Sequence, residues 1–212
     1  MVGSSQKQSA RERILSTAAR LFYEHGYHGV GIDRIIAESG VAKMSLYRHF
    51  PSKDTLIAAT LEYMNIQFWH WIDSETEGTK SPMEKLIAIF RAVGKLAPTA
   101  KCLGCAFQGA AAEFPEVEHI NHKAALAHKN QVLDRLTQLA RDAGLLNPRQ
   151  LAQQLLLLMD GAWVSARMYG TNGPATEVTA AAQALIEGHN ARPVKGKARA
   201  NRKPAKAMTR HR

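Results

Sequence analysis

Apolar residues recur at spacings of three and four along nearly the whole chain, which is the periodicity of an amphipathic helix. Between positions 9 and 25, for example, Ile14, Ala18, Leu21 and Phe22 fall on one helical face. No segment shows the sustained alternation of apolar and polar residues that is typical of a half-buried strand, and no internal repeat is present. These patterns predict an all-α protein.

Residues that start and stop helices divide the chain into nine predicted segments. Ser52 with Asp54 in the following turn is a typical helix start, and so is the run Ser81-Pro82-Met83-Glu84. Glycines and prolines supply most of the stops. The predicted helices are 9–25, 32–38, 42–50, a long helix after Ser52, one after Ser81, 102–112, 115–143, 148–169 and 174–187.

The formal charge of +10 is unevenly distributed along the 212 residues. Nine Lys or Arg residues and no acid follow Glu187, whereas residues 61–187 carry −2 and residues 1–60 carry +3. We therefore expect a nearly neutral folded body, a flexible start over residues 1–8 and a basic disordered tail over residues 189–212. Such a tail would add attraction to DNA that does not depend on base sequence.

Several classes of protein are disfavoured by composition. The longest unbroken aliphatic run, residues 155–159, is too short to cross a bilayer, and the first residues lack the apolar stretch of a signal peptide. Two cysteines in a chain of this length are no disulfide framework. The sequence therefore predicts a cytoplasmic protein with no membrane partner.

Residues 29–53 have the pattern of a helix-turn-helix. Two short helices flank a turn that contains Gly40, and their apolar residues would close a small core against Leu21 and Phe22 of the preceding helix. A helix that enters the major groove needs cations and hydroxyls for phosphates and side chains near its start for base edges. The outer face of the second short helix offers that set: Lys43, Met44, Ser45, Tyr47, Arg48 and His49.

At these residues the sequence resembles the TetR family of bacterial transcriptional regulators, whose pattern covers roughly residues 9–60. The resemblance rests on Ala19-Arg20-Leu21-Phe22, Gly26-Tyr27, Gly40-Val41, Leu46-Tyr47-Arg48-His49-Phe50 and Ser52-Lys53-Asp54-Thr55-Leu56. It implies a homeodomain-like three-helix DNA-binding domain over 9–60, with its motif at about 31–50. It also implies a helical effector-binding and dimerisation domain over 61–188.

The resemblance also assigns expected roles to single residues. It implies phosphate contacts for Tyr47, His49 and Lys53, and it places Lys43, Met44 and Ser45 where base edges are read. Arg34 and Arg48 complete the expected DNA-binding set. Gly31 and Ala42 depart from the family pattern, because a threonine and a serine are usual there and each would supply a hydroxyl that caps a helix and contacts phosphate.

Cys102 and Cys105 are the residues that could indicate a different function, a thiol oxidoreductase or a thiol-based redox sensor. At a spacing of three on a helix, both thiols would lie on one face, but the strand context of a thioredoxin-type motif is absent. Buried inert thiols are the alternative. His119, His122 and His128 with Glu116 and Glu118 fall short of a closed zinc site. We therefore predict no metal, no cofactor, no catalytic residue and no enzyme.

Aromatic and methionine residues in the second part of the chain suggest an effector pocket, since ligand cavities are mostly apolar with a few polar groups. Asp160 stands out because it follows an aliphatic run. The alternative is that these side chains form an ordinary core. The predicted lining is Met64, Phe68, Trp71, Phe90, Phe107, Phe114, Met159, Asp160 and Trp163, with Met168 as a further candidate.

The helix predicted at 148–169 is apolar over more of its circumference than the stripe of about 100° that a surface helix needs. Burial on two sides, against its own chain and against a second copy, would explain the excess; a central position within a monomer is the alternative. The predicted interface is Leu151, Leu155, Leu158 and Ala162 with Val178, Ala181, Ala182 and Leu185.

Together these features predict a homodimeric, sequence-specific transcriptional regulator of the bacterial nucleoid. We expect a repressor that a small-molecule effector releases from a pseudo-palindromic double-stranded DNA operator. A nucleoid-type DNA binder without sequence preference is the remaining alternative.

Overall fold

The computed structural model of the chain describes residues 8–190, and within that range it contains helices and turns but no strand. The all-α prediction is confirmed. The N-terminal helices are α1 (Ala10–His25), α2 (Ile32–Ser39), α3 (Lys43–His49) and α4 (Lys53–Glu75). They are followed by α5 (Pro82–Leu96), α6 (Ala106–Glu113), α7 (Ile120–Asp142), α8 (Pro148–Tyr169) and α9 (Val178–Asn190).

The caps predicted at Ser52 and Ser81 are present, whereas the cap predicted at Asn147 was wrong, because its side chain makes no hydrogen bond to the start of α8. The Ser52 hydroxyl accepts a hydrogen bond from the Thr55 amide, and the Ser81 hydroxyl accepts one from the Glu84 amide. At α1, Ser9 and Glu12 form a reciprocal capping box, and the hydrogen bonds from Ser9 hold the pKa of Glu12 below its usual value. Local hydrogen-bonding chemistry therefore determines where these helices begin.

Three predicted boundaries were wrong. The segment predicted to be helical from 102 is a loop until Ala106, because Gly104 between the cysteines has a positive φ of 97°. The helix predicted from 115 begins only at Ile120. The segment predicted as one helix from 174 begins with a 3₁₀ turn, Pro174–Glu177, and α9 then continues to Asn190. The predicted tail over 189–212 and the predicted flexible start over 1–8 otherwise lie almost wholly outside the described residues.

Two apolar cores organise the molecule. The first joins α1, α2, α3 and the start of α4. It also includes Phe107 and Ala110 from α6, Phe114 just after α6, and Ala125 from α7. The second runs from the end of α4 through α5, α7, α8 and α9. The predicted domain boundary at 60 therefore falls inside the continuous helix α4, and α6 packs in the core of the helix-turn-helix unit. This arrangement brings the two parts of the chain into direct contact.

Close packing between α5 and α9 depends on Gly94. A Cβ at this position would lie 2.3 Å from Oγ1 of Thr179, and that hydroxyl donates a hydrogen bond to the carbonyl of Phe90. The threonine cannot turn away without breaking this bond. The glycine is thus required by the helix contact, since any larger residue would push α9 outward.

We expect Gly94→Ala to lower the free energy of unfolding by about 1–3 kcal/mol, because the added methyl group overpacks the α5–α9 contact. Gly188→Ala is the matched control, since a Cβ there meets nothing within 4 Å, and it should be neutral or stabilising by up to about 1 kcal/mol. Denaturant unfolding at equal protein concentrations measures both. Equal stability of the two variants would contradict this account of the contact.

Candidate functional site

The helix-turn-helix is held by a core that sequence reasoning had identified. Ile35, Val41, Leu46 and Phe50 are buried against α1, and Gly40 turns the chain with a φ of 63°. The short helices themselves begin without side-chain caps, since Gly31 and Ala42 accept hydrogen bonds from their helices only through their backbone carbonyls. The two departures from the family pattern therefore leave the first amides of α2 and α3 without hydroxyl partners from these residues.

The outer face of α3 carries the residues predicted to contact DNA. Met44 is 77% exposed, and Lys43, Tyr47, Arg48 and His49 are also exposed. Ser45 is half-buried. The helix thus presents a mixed polar and cationic surface to solvent while Leu46 on its other side is fully buried.

Two of the predicted cations form ion pairs with carboxylates of the protein. Nζ of Lys43 lies 3.3 Å from Oδ1 of Asp33, an exposed pair that contributes little to stability. Arg34 donates through Nε to Glu38 at 2.8 Å, and Arg20 of α1 pairs with the same carboxylate. The hydrogen bonds from Arg34 and then from Arg20 hold the pKa of Glu38 below its usual value. Arg20 therefore links α1 to α2 through Glu38, and Arg34 adds a second link because its guanidinium lies 3.0 Å from Nε2 of His25 at the end of α1.

Lys53 lies where the start of α4 meets the turn between α1 and α2. It is half-buried, and its Nζ donates to the backbone carbonyl of His28 at 3.3 Å. The first turn of α4 also carries the positive end of the helix dipole. This position gives the lysine a defined direction at the edge of the helix-turn-helix unit.

A cavity of about 280 Å³ lies between α1, α4, α6, α7 and α8. Five residues predicted for an effector pocket line it: Phe68, Trp71, Phe107, Met159 and Trp163. Tyr23, Lys101, His128 and Lys129 line it as well and were not predicted. No sequence signal distinguished these four, because long-range packing of separate helices brings them to the cavity.

The remaining pocket predictions were wrong for this cavity. Phe90 is fully buried in the second core, whereas Phe114 packs edge-on against Tyr27 in the first core. Met64 also packs on the first core, and Met168 is exposed. Asp160 does not line the cavity, but it forms an ion pair with Lys129, which is a lining residue. An aromatic or methionine at helical spacing could belong to either core or to the cavity, and spacing alone cannot separate these cases.

Cys102 and Cys105 are free thiols in the loop before α6, and both line the cavity. Their predicted placement on one helical face was wrong, since this segment is not helical. The loop is bonded to α1 instead: the Tyr23 hydroxyl accepts from the Leu103 amide at 2.7 Å and donates to the Gly104 carbonyl at 3.0 Å. Burial, followed by the neighbouring Cys102 thiol, raises the pKa of Tyr23 to about 12. A redox role for the thiols stays a prediction.

Both ends of α6 form hydrogen bonds with Tyr27 or His28, the residues that follow α1. The Tyr27 hydroxyl donates to the carbonyl of Ala106 at the start of α6. At the other end, the Glu113 carboxylate accepts from the backbone amides of Tyr27 at 2.9 Å and His28 at 2.6 Å. One wall of the cavity is thus bonded directly to the helix that supports the helix-turn-helix.

The histidines in and before α7 are engaged in separate protein contacts. Nδ1 of His122 lies 2.8 Å from the Phe114 carbonyl, and Nδ1 of His119 accepts from the Asn121 amide. Among residues 8–190 no group of three or more His, Cys, Asp or Glu side chains is placed to hold a metal ion. Over the same range, no helix is both long and apolar enough to span a bilayer.

The predicted dimer residues divide into two groups. Leu151, Leu155 and Ala182 are fully buried within their own chain, and Ala162 and Val178 nearly so. Leu151, Leu155 and Ala182 have no exposed surface with which to meet a partner, so their assignment to an interface was wrong. Ala162 and Val178 line a surface groove together with Leu158 and Ala181, so their assignment stays a prediction. Leu158, Ala181 and Leu185 remain half-buried. Other apolar residues of α8 are exposed, among them Leu157, Val164 and Met168.

A family model described as "Bacterial regulatory proteins, tetR family" matches residues 14–60. The crystal structure of a TetR-family transcriptional regulator from Streptomyces coelicolor is 34% identical to this chain, with a TM-score of 0.74 over 84% of this chain and 93% of the other. The chain belongs to the TetR family of bacterial transcriptional regulators. The family predicted from the sequence is confirmed.

Other relatives of this TetR-family chain agree. The transcriptional repressor KstR2 of Mycobacterium tuberculosis is 29% identical over 82% of this chain and 88% of its own length. The regulator LmrA of Bacillus subtilis is 40% identical over 83 residues, and that match spans only 44% of its length. A second regulator of that organism, YxaF, is likewise matched over 44% of its length. These relatives are named as transcriptional regulators, which favours that function over a thiol oxidoreductase.

His128 gives the TetR-family chain a pH-dependent stability. Burial, with the charge of Lys129 as a smaller cause, lowers the pKa of this imidazole to about 3. The unfolded chain takes up this proton near pH 6.5, but the folded chain does so only near pH 3. Between these values the unfolded state binds more protons, so stability is lost as the pH falls from about 6.5 toward 3.

Replacing His128 should therefore flatten the acid side of the stability profile. We expect the unmodified protein to lose about 1–2 kcal/mol more than His128→Asn when the pH falls from 7 to 5. Denaturant unfolding at both pH values measures the difference, and the other histidines cancel in the comparison. Parallel profiles for the two proteins would show that His128 is not held neutral by burial.

Proposed function

We propose that this protein is a transcriptional repressor that binds a pseudo-palindromic operator as a homodimer and is released by a small-molecule effector. The exposed face of α3 carries this proposal. Its apolar side is closed into the core through Leu46, while Met44 is 77% exposed. A large apolar side chain at the exposed start of a recognition helix suits contact with base edges, including the thymine methyl group.

The contacts to DNA divide into two kinds. We assign Tyr47, His49 and Lys53 to phosphates, because phosphate contacts set register without reading sequence. The hydrogen bond from Lys53 to the His28 carbonyl supports this assignment by directing the ammonium group along the turn before α2. Lys43, Met44 and Ser45 at the start of α3 are assigned to base edges.

For the dimer we assign an exposed apolar face on α8 and α9. Leu157 and Leu158 of α8 and Ala181 of α9 line one surface groove, to which we add the exposed Val164 and Met168 further along α8 and the half-buried Leu185 one turn further along α9. Gly161 lies in the same surface, where a Cβ would meet nothing within its own chain. A two-fold contact uses the same patch on both chains, so one continuous apolar face is sufficient.

For release by an effector we assign the cavity, because its wall is bonded to α1. Tyr23 holds the loop at Leu103 and Gly104, and Tyr27 holds the start of α6. A ligand that displaces this wall would shift α1 and, with it, the orientation of α3. The effector acts only through its different affinities for the two arrangements, which limits how far it can shift the population.

Lys53 and Met44 should affect DNA binding in different ways. Lys53→Ala removes one phosphate contact, so it should weaken all sites similarly and lower the salt dependence of binding by about one ion. Met44→Ala should change the order of preference among operator variants and leave the salt dependence unchanged. Titration of operator DNA at several salt concentrations measures both. An unchanged slope for Lys53→Ala would rule out its phosphate contact.

The dimer assignment predicts that Leu157→Glu gives a folded monomer, because the charge would lie in the proposed interface. Operator affinity should fall by about 100-fold or more, since the two half-sites are then bound independently. Leu126→Glu on the exposed side of α7 is the control and should stay dimeric. Sedimentation velocity with circular dichroism measures both properties. A dimeric Leu157→Glu protein would exclude this face.

A further inference from the structure

We propose that the cavity selects a flat, apolar, uncharged effector through a hydroxyl or N–H group, and that Nε2 of His128 accepts the hydrogen bond from it. This inference rests on the effector site proposed above and adds the chemistry of its ligand. It begins with a chain of four side chains, Trp69, Gln131, Asn65 and His128, in which each hydrogen bond has a fixed direction.

The direction is set by the indole of Trp69, which can only donate. Its Nε1 donates to Oε1 of Gln131 at 3.1 Å, and Nδ2 of Asn65 donates to the same oxygen at 2.9 Å. Asn65 therefore presents its Oδ1 to Nδ1 of His128, at 2.7 Å. Because this oxygen can only accept, Nδ1 must carry the proton.

A neutral imidazole with its proton on Nδ1 has a lone pair on Nε2. Burial and Lys129 lower the pKa of His128 to about 3, so the ring stays neutral at physiological pH. The ring is also fixed in orientation, since it stacks on Phe107 at a centroid distance of 3.6 Å and meets Phe68 edge-on at 4.9 Å. Nε2 is therefore an acceptor with a fixed position.

This acceptor has no partner among the described residues. His128 is 4% exposed, and no group in residues 8–190 donates to Nε2. The polar side-chain atoms that are fully enclosed and unpartnered over that range belong to Asn121, Gln154 and Ser165, not to His128. Nε2 thus retains open space beside it, and the cavity is the space that His128 lines. An unused acceptor in a largely apolar cavity is a site for a ligand donor.

The rest of the lining determines what carries that donor. Phe68, Trp71 and Phe107 provide aromatic surface that suits a flat apolar body. Two lysines of the lining could attract an anion, but the Lys129 ammonium is already paired with Asp160. Lys101 is exposed, so water and salt screen its charge. Burial of a charged ligand without a partner would be costly, and a carboxylate would face the lone pair of Nε2. A neutral hydroxyl or N–H donor is therefore the group that fits.

The test compares indole with benzofuran, two flat molecules of nearly the same shape in which an N–H is replaced by an oxygen. We expect the full-length protein to bind indole about five- to tenfold more tightly, the size of one neutral hydrogen bond. Isothermal titration calorimetry measures both affinities. Equal affinities, or a preference for benzofuran, would overturn the proposal.

Two variants then assign the preference to His128. His128→Asn keeps an amide donor for Asn65 but removes Nε2, whereas His128→Phe keeps the stacking on Phe107 but removes both nitrogens. Both variants should bind indole and benzofuran with nearly equal affinity. His70→Asn, on the exposed side of α4, should retain the preference for indole. A preference that persists in both His128 variants would show that another group accepts the bond.

Operator binding without ligand, measured on the same proteins, separates this inference from the proposed function. If neither probe binds while operator affinity is intact, the ligand chemistry proposed for the cavity is wrong and the repressor proposal stands. If operator binding itself is absent in the unmodified protein, the repressor proposal fails, and the preference for indole still decides the chemistry of the cavity.

Discussion

The Glu113 carboxylate fixes how the two parts of the molecule are arranged. It accepts hydrogen bonds from two backbone amides, those of Tyr27 and His28, at the point where α1 has ended. Gly26 is required at this point, because its φ is 79° and a Cβ would lie 2.9 Å from Glu113 Oε1. Hydrogen bonds to a charged acceptor are the stronger kind. Because α1 supports α2 and α3, the orientation of the helix-turn-helix relative to the cavity depends on this contact.

The cavity combines features that a purely structural core would lack. Trp69, Gln131, Asn65 and His128 form a polar chain, and His128 lines the cavity beside aromatic and aliphatic side chains. A buried polar group is costly unless its hydrogen bonds are made, so an apolar residue at position 128 would be the simpler choice for stability alone. Each of the four side chains makes at least one of these hydrogen bonds, whereas Nε2 of His128 has no partner among the described residues. The stability lost in acid is thus the consequence of keeping one acceptor available inside the protein.

Sequence and structure agree best where the determining contacts are local. In α3, Leu46 must be buried and Met44 exposed because they lie on opposite sides of one short helix, so the exposed face of this helix was predictable. On α8 the same reasoning failed, since Leu155 and Leu157 are equally apolar yet are 0% and 72% exposed. The spacing of apolar residues shows that α8 is apolar over more of its surface than one core contact needs. It does not show which side of α8 packs against its own chain. Glu113 and His128 were not predictable, because their partners lie 63–86 positions away in the sequence.

The size of the interactions at the cavity wall fits the regulation proposed for it. Coupling between an effector site and a second site is typically about 1–3 kcal/mol. The two hydrogen bonds of Tyr23 to Leu103 and Gly104 contribute about 0.5–1.5 kcal/mol each. Gly104 also packs closely on α8, where a Cβ would lie 3.3 Å from the Trp163 carbonyl, so the loop cannot yield in that direction. A ligand that moves the loop must therefore displace it relative to α1, and the loss of the Tyr23 bonds is by itself large enough to account for a regulatory response.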